Sequence, residues 1–406
     1  MRTDSSIAAS EVSTTATADS GAAPERMPDI VCFSHLRWNF VFQRPQQILS
    51  RFARLARVFF FEEAIFHPGD TWELIIEEVA PGIQVATPHL PEHLSPGNCA
   101  EATRFLLTQL IHEHGLEDYI AWYYTPLALR FTRHLKAGLT VYDCMDELSA
   151  FSGASPELRL REPELLQRAD LIFAGGQSLY EAKRRTRPNH THLFPSSIDL
   201  NHFGEARQLL PDPADQAPLR RPRAGFFGVI DERMDLELLD ALPQRLPEWE
   251  FIMVGPTAKI SPDALPRHTN LHYLGQKPYA DLPRYLANWD AAILPFARNA
   301  ATRFISPTKT PEYLAGGRPV VSTPILDVVR PYGSQGLVAI ADGVDAFATA
   351  LQRALHQGND PAWLRRVDAF LSLSSWDRTC RRMCLLIEEA LARRNPAVLL
   401  VENRTR

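Results

Sequence analysis

A chain of 406 residues is longer than one ordinary hydrophobic core and predicts two domains. Its 45% hydrophobic content is that of a globular protein, yet no apolar run is long enough to span a bilayer. A formal net charge of −5 gives no reason to expect nucleic acid as a partner, and five scattered cysteines, an odd number, argue against a disulfide framework.

Residues 1–28 are rich in Ser, Thr and Ala but lack a continuous apolar core, so they read as a disordered tail rather than a signal peptide, and the protein as cytoplasmic. Ile30–Phe33 is an apolar run suited to a buried parallel strand. It ends in the polar and aromatic loop Ser34–Asn39, which places His35, Arg37 and Trp38 at a strand's carboxyl end, where ligands of open α/β sheets bind. A helix is expected over 43–56. It carries Arg51, Arg54 and Arg57 beside Ile48, Leu49, Phe52 and Leu55, a pattern that fits either an ordinary surface helix or a peripheral contact with an anionic membrane.

Strand-like runs at 58–61, 84–86 and 119–124, with helices near 99–114 and 126–136, form the βαβ grammar of a parallel sheet. Thr140–Asp143 is a further strand, leading into Asp143-Cys-Met-Asp-Glu147. A carboxylate at such a strand end can serve as a general base, or it can cap the next helix; both readings stand for Asp143 and Asp146. His112 and His114 are two apart, off a common helix face, and nothing in the chain has metal-ligand spacing. Cys380 and Cys384, one turn apart, read as small core-facing residues.

Ala169–Ala174 with Gly175-Gly176 repeats the strand and glycine turn, and 207–223, rich in Pro, Asp and Ala, reads as an interdomain linker. The second half opens with the strand Ala224–Phe227 entering a turn at Gly228, where a missing side chain lets backbone approach a ligand, followed by Arg233. Strands follow at 249–254, 271–275 and 290–295, then a loop 296–305 with Arg303. The run Ser306-Pro-Thr-Lys-Thr-Pro-Glu-Tyr-Leu-Ala-Gly-Gly-Arg-Pro-Val-Val321 reads as a loop, a short helix and a buried strand, with Thr308 and Thr310 as helix-capping residues. A helix start bearing Lys309 suits an anionic group, and Glu312 one turn on can accept two hydrogen bonds from a vicinal diol.

This last run resembles the donor-site motif Ser-Pro-x-Lys-x-x-Glu-Tyr-x-Ala-x-Gly-x-Pro-Val-Val of GT-B glycosyltransferases. Ser34-His-Leu-Arg-Trp38 followed by Gln43-Arg-Pro-Gln-Gln-Ile-Leu-Ser-Arg-Phe52 is similar to the opening of a subgroup that includes teichuronic acid-type transferases, whose first loop faces the acceptor. The resemblance implies two Rossmann-like domains facing a cleft: 29–205 on the acceptor side, 206–375 on the nucleotide-sugar side, and a crossover helix and tail in 376–406. It implies a metal-independent transfer of sugar from a nucleotide-sugar donor, UDP- or GDP-linked, to a glycan or lipid-linked acceptor in cell-surface polysaccharide synthesis. Gly228, Arg233, Gly275, Gln276, Ser306, Thr308, Lys309 and Glu312 would then contact the donor, and His35, Asp143 and Asp146 the acceptor. In many retaining members a second glutamate stands eight positions before the one matching Glu312; here that position is Phe304. An epimerase on the same fold and a non-catalytic nucleotide-sugar-binding scaffold are the other readings.

Overall fold

The structure, a computed structural model, describes residues 27–358 and 360–394. The tail expected over 1–28 lies almost wholly outside these residues.

Apolar runs of four residues, buried at every position, build the first sheet: β1 (Ile30–Phe33) and β2 (Val58–Phe61), and further on β6 (Ile120–Tyr123) and β8 (Leu171–Ala174). Such runs fit parallel strands covered by helices on both faces. With β3 (Ile65–His67), β4 (Glu73–Ala80), β5 (Ile83–Pro91), β7 (Leu139–Cys144) and β9 (Thr191–Leu193), the order is β3-β5-β2-β1-β6-β7-β8-β9. Every pair is parallel except β4 against β5. The sequence pattern did not reveal β4, because Glu73, Glu77 and Glu78 dilute its apolar residues on a partly exposed edge.

The second sheet comprises β10 (Arg223–Phe227), β11 (Glu250–Val254), β12 (Leu271–Gly275), β13 (Ala291–Leu294), β14 (Val320–Ser322) and β15 (Ala339–Ile340). Its order, β12-β11-β10-β13-β14-β15, is parallel throughout and reverses direction beside β10, which opens a crevice at the strands' carboxyl ends. Gly225 inside β10 is required by packing, since a Cβ there would meet the Trp289 ring at 2.1 Å.

The segment 207–223 is not a free linker. Gln216 Oε1 accepts the Trp289 indole N–H at 2.8 Å, Asp212 pairs with Arg223 at 2.6 Å, and Asp215 accepts the Tyr285 hydroxyl at 2.8 Å. These contacts fasten it to the second domain.

The last helix, Trp376–Arg394, returns to the first domain. It buries Trp376, Cys380, Met383 and Ile387 in a core shared with Ile48, Phe52 and Trp122. The first helix is accordingly covered. It runs only from Arg44 to Phe52, and seven of its nine residues are buried. Arg51 pairs with Asp377 at 2.7 Å, and Arg57, beyond the helix end, pairs with Asp29. Two of the three arginines expected on a basic face are thus engaged in ion pairs, and Arg54 is exposed.

Met383→Ala should cost about 2–5 kcal/mol through cavity formation. Amide hydrogen exchange should show the loss of protection in β7 and β8; a loss confined to β13 and β14 would contradict the placement of the last helix.

Candidate active site

Residues from both domains line a cleft with two connected chambers. The larger, of about 350 Å³, is bounded by the loop Trp38–Phe42 on one side and by Gly228, Gly255, Tyr279, Lys309 and Glu312 on the other. The smaller, of about 100 Å³, contains Asp146, Arg233, Ser306 and Thr308. Gly228 and Lys309 line both.

Backbone geometry explains why the crevice is open at this point. Gly228 has φ +149°, and a Cβ there would stand 2.9 Å from Lys309 Cε and 3.0 Å from the Phe226 ring. Gly255, at φ +147°, lies against the Gly228 carbonyl, which an added Cβ would meet at 1.8 Å. The two glycine turns thus touch, and Lys309 occupies the space they leave.

Lys309 begins the helix Lys309–Ala315. Thr308 is at the N-cap position, but its hydroxyl makes no capping bond; it accepts the Lys309 ammonium at 3.0 Å instead. Thr310 does not cap either, and its buried hydroxyl has no partner among the described residues. Partial burial lowers the Lys309 pKa, with Glu312 and Asp146 opposing that shift and Arg233 adding to it. No carboxylate forms an ion pair with Lys309 among the described residues. The Glu312 carboxylate also makes no hydrogen bond among the described residues, and only its backbone is engaged. Burial raises its pKa to about 7, with Lys309 pulling the other way.

Arg233 is positioned by its neighbour. Asp231 accepts from Nε at 2.9 Å and from Nη2 at 2.7 Å, and the guanidinium lies 5.6 Å from the centroid of Phe151, a first-domain residue. Gln276 donates to the Phe40 carbonyl at 2.5 Å, so it ties the acceptor-side loop to the second domain beside Gly275. Arg303 is exposed over the Phe304 ring rather than in the cleft, and Phe304 packs on the first domain's core.

The three carboxylates of 143–147 have separate fates. Asp143 is fully buried and grips Arg44, itself 2% exposed, with N···O of 2.8 Å. It cannot reach an acceptor hydroxyl, and the expectation that it could act as base is corrected. Glu147 pairs with Lys183 at 2.6 Å. Of the three, Asp146 alone lacks a side-chain partner among the described residues, and burial raises its pKa against the opposing charges of Arg233 and Lys259. His35, one residue past Ser34, has its pKa lowered to about 4, first by burial and then by the charge of Lys259. Its Nδ1 is buried without a partner among the described residues. Arg37 instead turns to Glu62 at 2.8 Å.

Residues 221–357 match the family profile described as Glycosyl transferases group 1. The match falls within the second domain and takes in β10 to β15 with the Ser306–Val321 run. Over 241 residues the chain is 25% identical to TuaH of Bacillus subtilis (strain 168), named for a role as a glycosyltransferase in teichuronic acid biosynthesis. That alignment covers 55% of this chain and 60% of TuaH. Among solved structures, sucrose-phosphate synthase from Thermosynechococcus elongatus superposes with a TM-score of 0.65 at 17% identity, over 90% of this chain and all of that one. A trehalose-6-phosphate structure from E. coli bound with UDP-2-fluoro glucose gives 0.64 at 15%, over 89% and 99%. WaaG, a glycosyltransferase involved in lipopolysaccharide biosynthesis, gives 0.59 at 12%, over 87% and 98%. The two-domain architecture is the GT-B fold.

Around Arg233, at the edge of this GT-B cleft, sequence reasoning missed Lys259, Asp231 and Phe151. Lys259 has φ +62°, rare for a residue with a side chain, and its ammonium lies 4.4 Å from the Phe151 centroid, facing His35 and Asp146. Its position just past the Gly255 turn, at a strand's carboxyl end, was the one available signal. Among the described residues no group of three His, Cys, Asp or Glu is arranged to hold a metal ion.

Asp143→Ala should destabilise the fold by about 3–5 kcal/mol, because it strands the buried Arg44 charge. Urea unfolding measures this; a change below about 1 kcal/mol would return Asp143 to the list of accessible carboxylates.

Proposed function

We propose that the protein transfers a sugar from a nucleoside-diphosphate donor to a hydroxyl of a glycan or lipid-linked acceptor in cell-surface polysaccharide synthesis. The observation that carries this reading is that Lys309, a cation without an ion-paired carboxylate, shares a chamber with Arg233 and lies one turn before the unengaged carboxylate of Glu312. Two cations in a partly desolvated crevice suit a diphosphate, and a free carboxylate beside them suits a ribose diol.

In this reading Arg233 and Lys309 stabilise the negative charge that builds on the departing nucleoside diphosphate, aided by Ser306 and the backbone around Thr308. Gly228 admits the diphosphate, and Gln276, with Gly275 before it in the chain, borders the base end of the larger chamber. A UDP-linked donor is supported by the E. coli structural relative, which carries a UDP sugar. His35 is neutral at physiological pH given its lowered pKa, and with Asp146 it orients or deprotonates the acceptor hydroxyl. The polysaccharide role rests on the likeness to TuaH.

Incubation with a panel of nucleotide sugars tests the reading: donor hydrolysis or transfer supports it. Interconversion of sugars would point to an epimerase, which needs several free carboxylates and here finds Asp143 and Glu147 already engaged. Binding without turnover would point to a scaffold. Glu312→Ala should weaken donor binding by about 1–3 kcal/mol, the range of charge-assisted hydrogen bonds. Isothermal titration measures that loss, and unchanged affinity would remove Glu312 from the ribose role.

The elevated pKa gives a second expectation. If the diol needs the ionised carboxylate, binding tightens as pH rises through about 7 and weakens below it. Donor affinity should improve about tenfold from pH 6 to pH 8 and stay flat in Glu312→Gln. The opposite slope would mean the protonated form binds. Asp146→Asn should keep donor affinity while transfer falls by about 100-fold or more; retained transfer would dismiss it as the base.

A further inference from the structure

The donor chambers are not the largest cavity at this sheet edge. A pocket of about 530 Å³ lies in the first domain at the carboxyl ends of β1, β2 and β6, in the size range of small-molecule sites. Phe33, Phe61, Leu90 and Phe131 form its walls, and Phe66, 52% exposed, stands at its mouth. Ser34 and Thr125 also line it, and the residues next to them in sequence are His35 and Tyr124. The pocket therefore lies across the Ser34–Trp38 loop from the donor chamber. Glu62 braces both sides, accepting from Arg37 and from the Trp38 N–H at 2.7 Å.

The polar groups of this pocket are already engaged within the protein. Ser34 exchanges hydrogen bonds with Leu36, Thr103 donates to the Cys99 carbonyl at 2.8 Å, Thr125 accepts from Leu127, and Arg130 pairs with Glu157. A phosphate or a hydroxyl-rich sugar would find few free donors there. What remains is apolar wall with Glu63 and Glu92 at the lining, which disfavours anions.

We propose that this pocket holds an uncharged apolar group, alkyl or aryl, attached to the acceptor, so that the rest of the acceptor extends along the Ser34–Trp38 loop, whose Ser34 lines this pocket and whose Trp38 lines the donor chamber. The proposal rests on the glycosyltransferase reading for its purpose, but the pocket's ligand chemistry is testable without it. The neutral fluorophore N-phenyl-1-naphthylamine and its anionic counterpart 8-anilino-1-naphthalenesulfonate serve as probes on the full chain. The neutral probe should bind saturably at one site, at least tenfold tighter than the sulfonate, and n-octyl β-D-glucopyranoside should displace it where the methyl glycoside does not. Ala100→Trp and Ala64→Trp each add bulk to the lining, and each should weaken the neutral probe at least tenfold with donor affinity unchanged.

Equal affinity for the two probes, or indifference to both tryptophan substitutions in variants with wild-type melting temperature, would overturn the proposal. Failure of the transferase reading would instead appear as absent donor turnover with the probe results intact.

Discussion

The cleft depends on a cation that the protein itself leaves unneutralised. Lys309 is held against the Gly228 turn, bonded to a neighbouring hydroxyl, where burial already acts against its charge and Arg233 adds repulsion. Burying charge without an ion pair is costly and is tolerated where a ligand of opposite charge completes the site. Arg233 differs in having Asp231 as a partner, which fixes its direction but reduces its net contribution. The need for a bound anion therefore falls mainly on Lys309.

Around that crevice the two domains meet through directed polar and aromatic contacts. Gln47 donates to the Tyr279 hydroxyl at 3.0 Å, and Phe42 lies 4.6 Å from the same ring. On the far side Asp327 accepts the Ser178 N–H at 3.1 Å at the start of the helix Gln177–Lys183, while Arg330 pairs with Glu181 at 2.9 Å. The segment Gln43-Arg-Pro-Gln-Gln47 is accounted for in this light by the contacts it makes within the protein. Arg44 locks Asp143, Gln46 donates to the Trp38 carbonyl at 2.7 Å and so shapes the acceptor loop, and Gln47 spans the domains. Contacts of this kind permit hinge motion between domains, which donor binding in a water-excluding cleft calls for.

Much of the fold was legible because its signals are local. Buried four-residue strands, glycine turns and the order of the second-half motifs each announce themselves within a few residues. The acid–base group was less so. Three carboxylates within five residues look alike in sequence, and they are separated only by partners far along the chain: Arg44 lies 99 residues from Asp143, and Lys183 lies 36 from Glu147. Lys259 escaped notice because its place over the Phe151 ring depends on a positive φ that no residue pattern encodes. The capping role expected of Thr308 failed for a similar reason, since the hydroxyl is taken by the ammonium beside it. How much of the first helix is covered was not legible either, because the helix that packs on it begins over 300 residues later.

Crystals soaked with a panel of nucleoside-diphosphate sugars give the most direct test of how the cleft is used. The account predicts diphosphate density between Arg233 and Lys309, with the ribose hydroxyls on Glu312 and the base against Gly275 and Gln276. A nucleotide bound with its diphosphate away from Lys309, or no nucleotide in the cleft at saturating concentration, would contradict it.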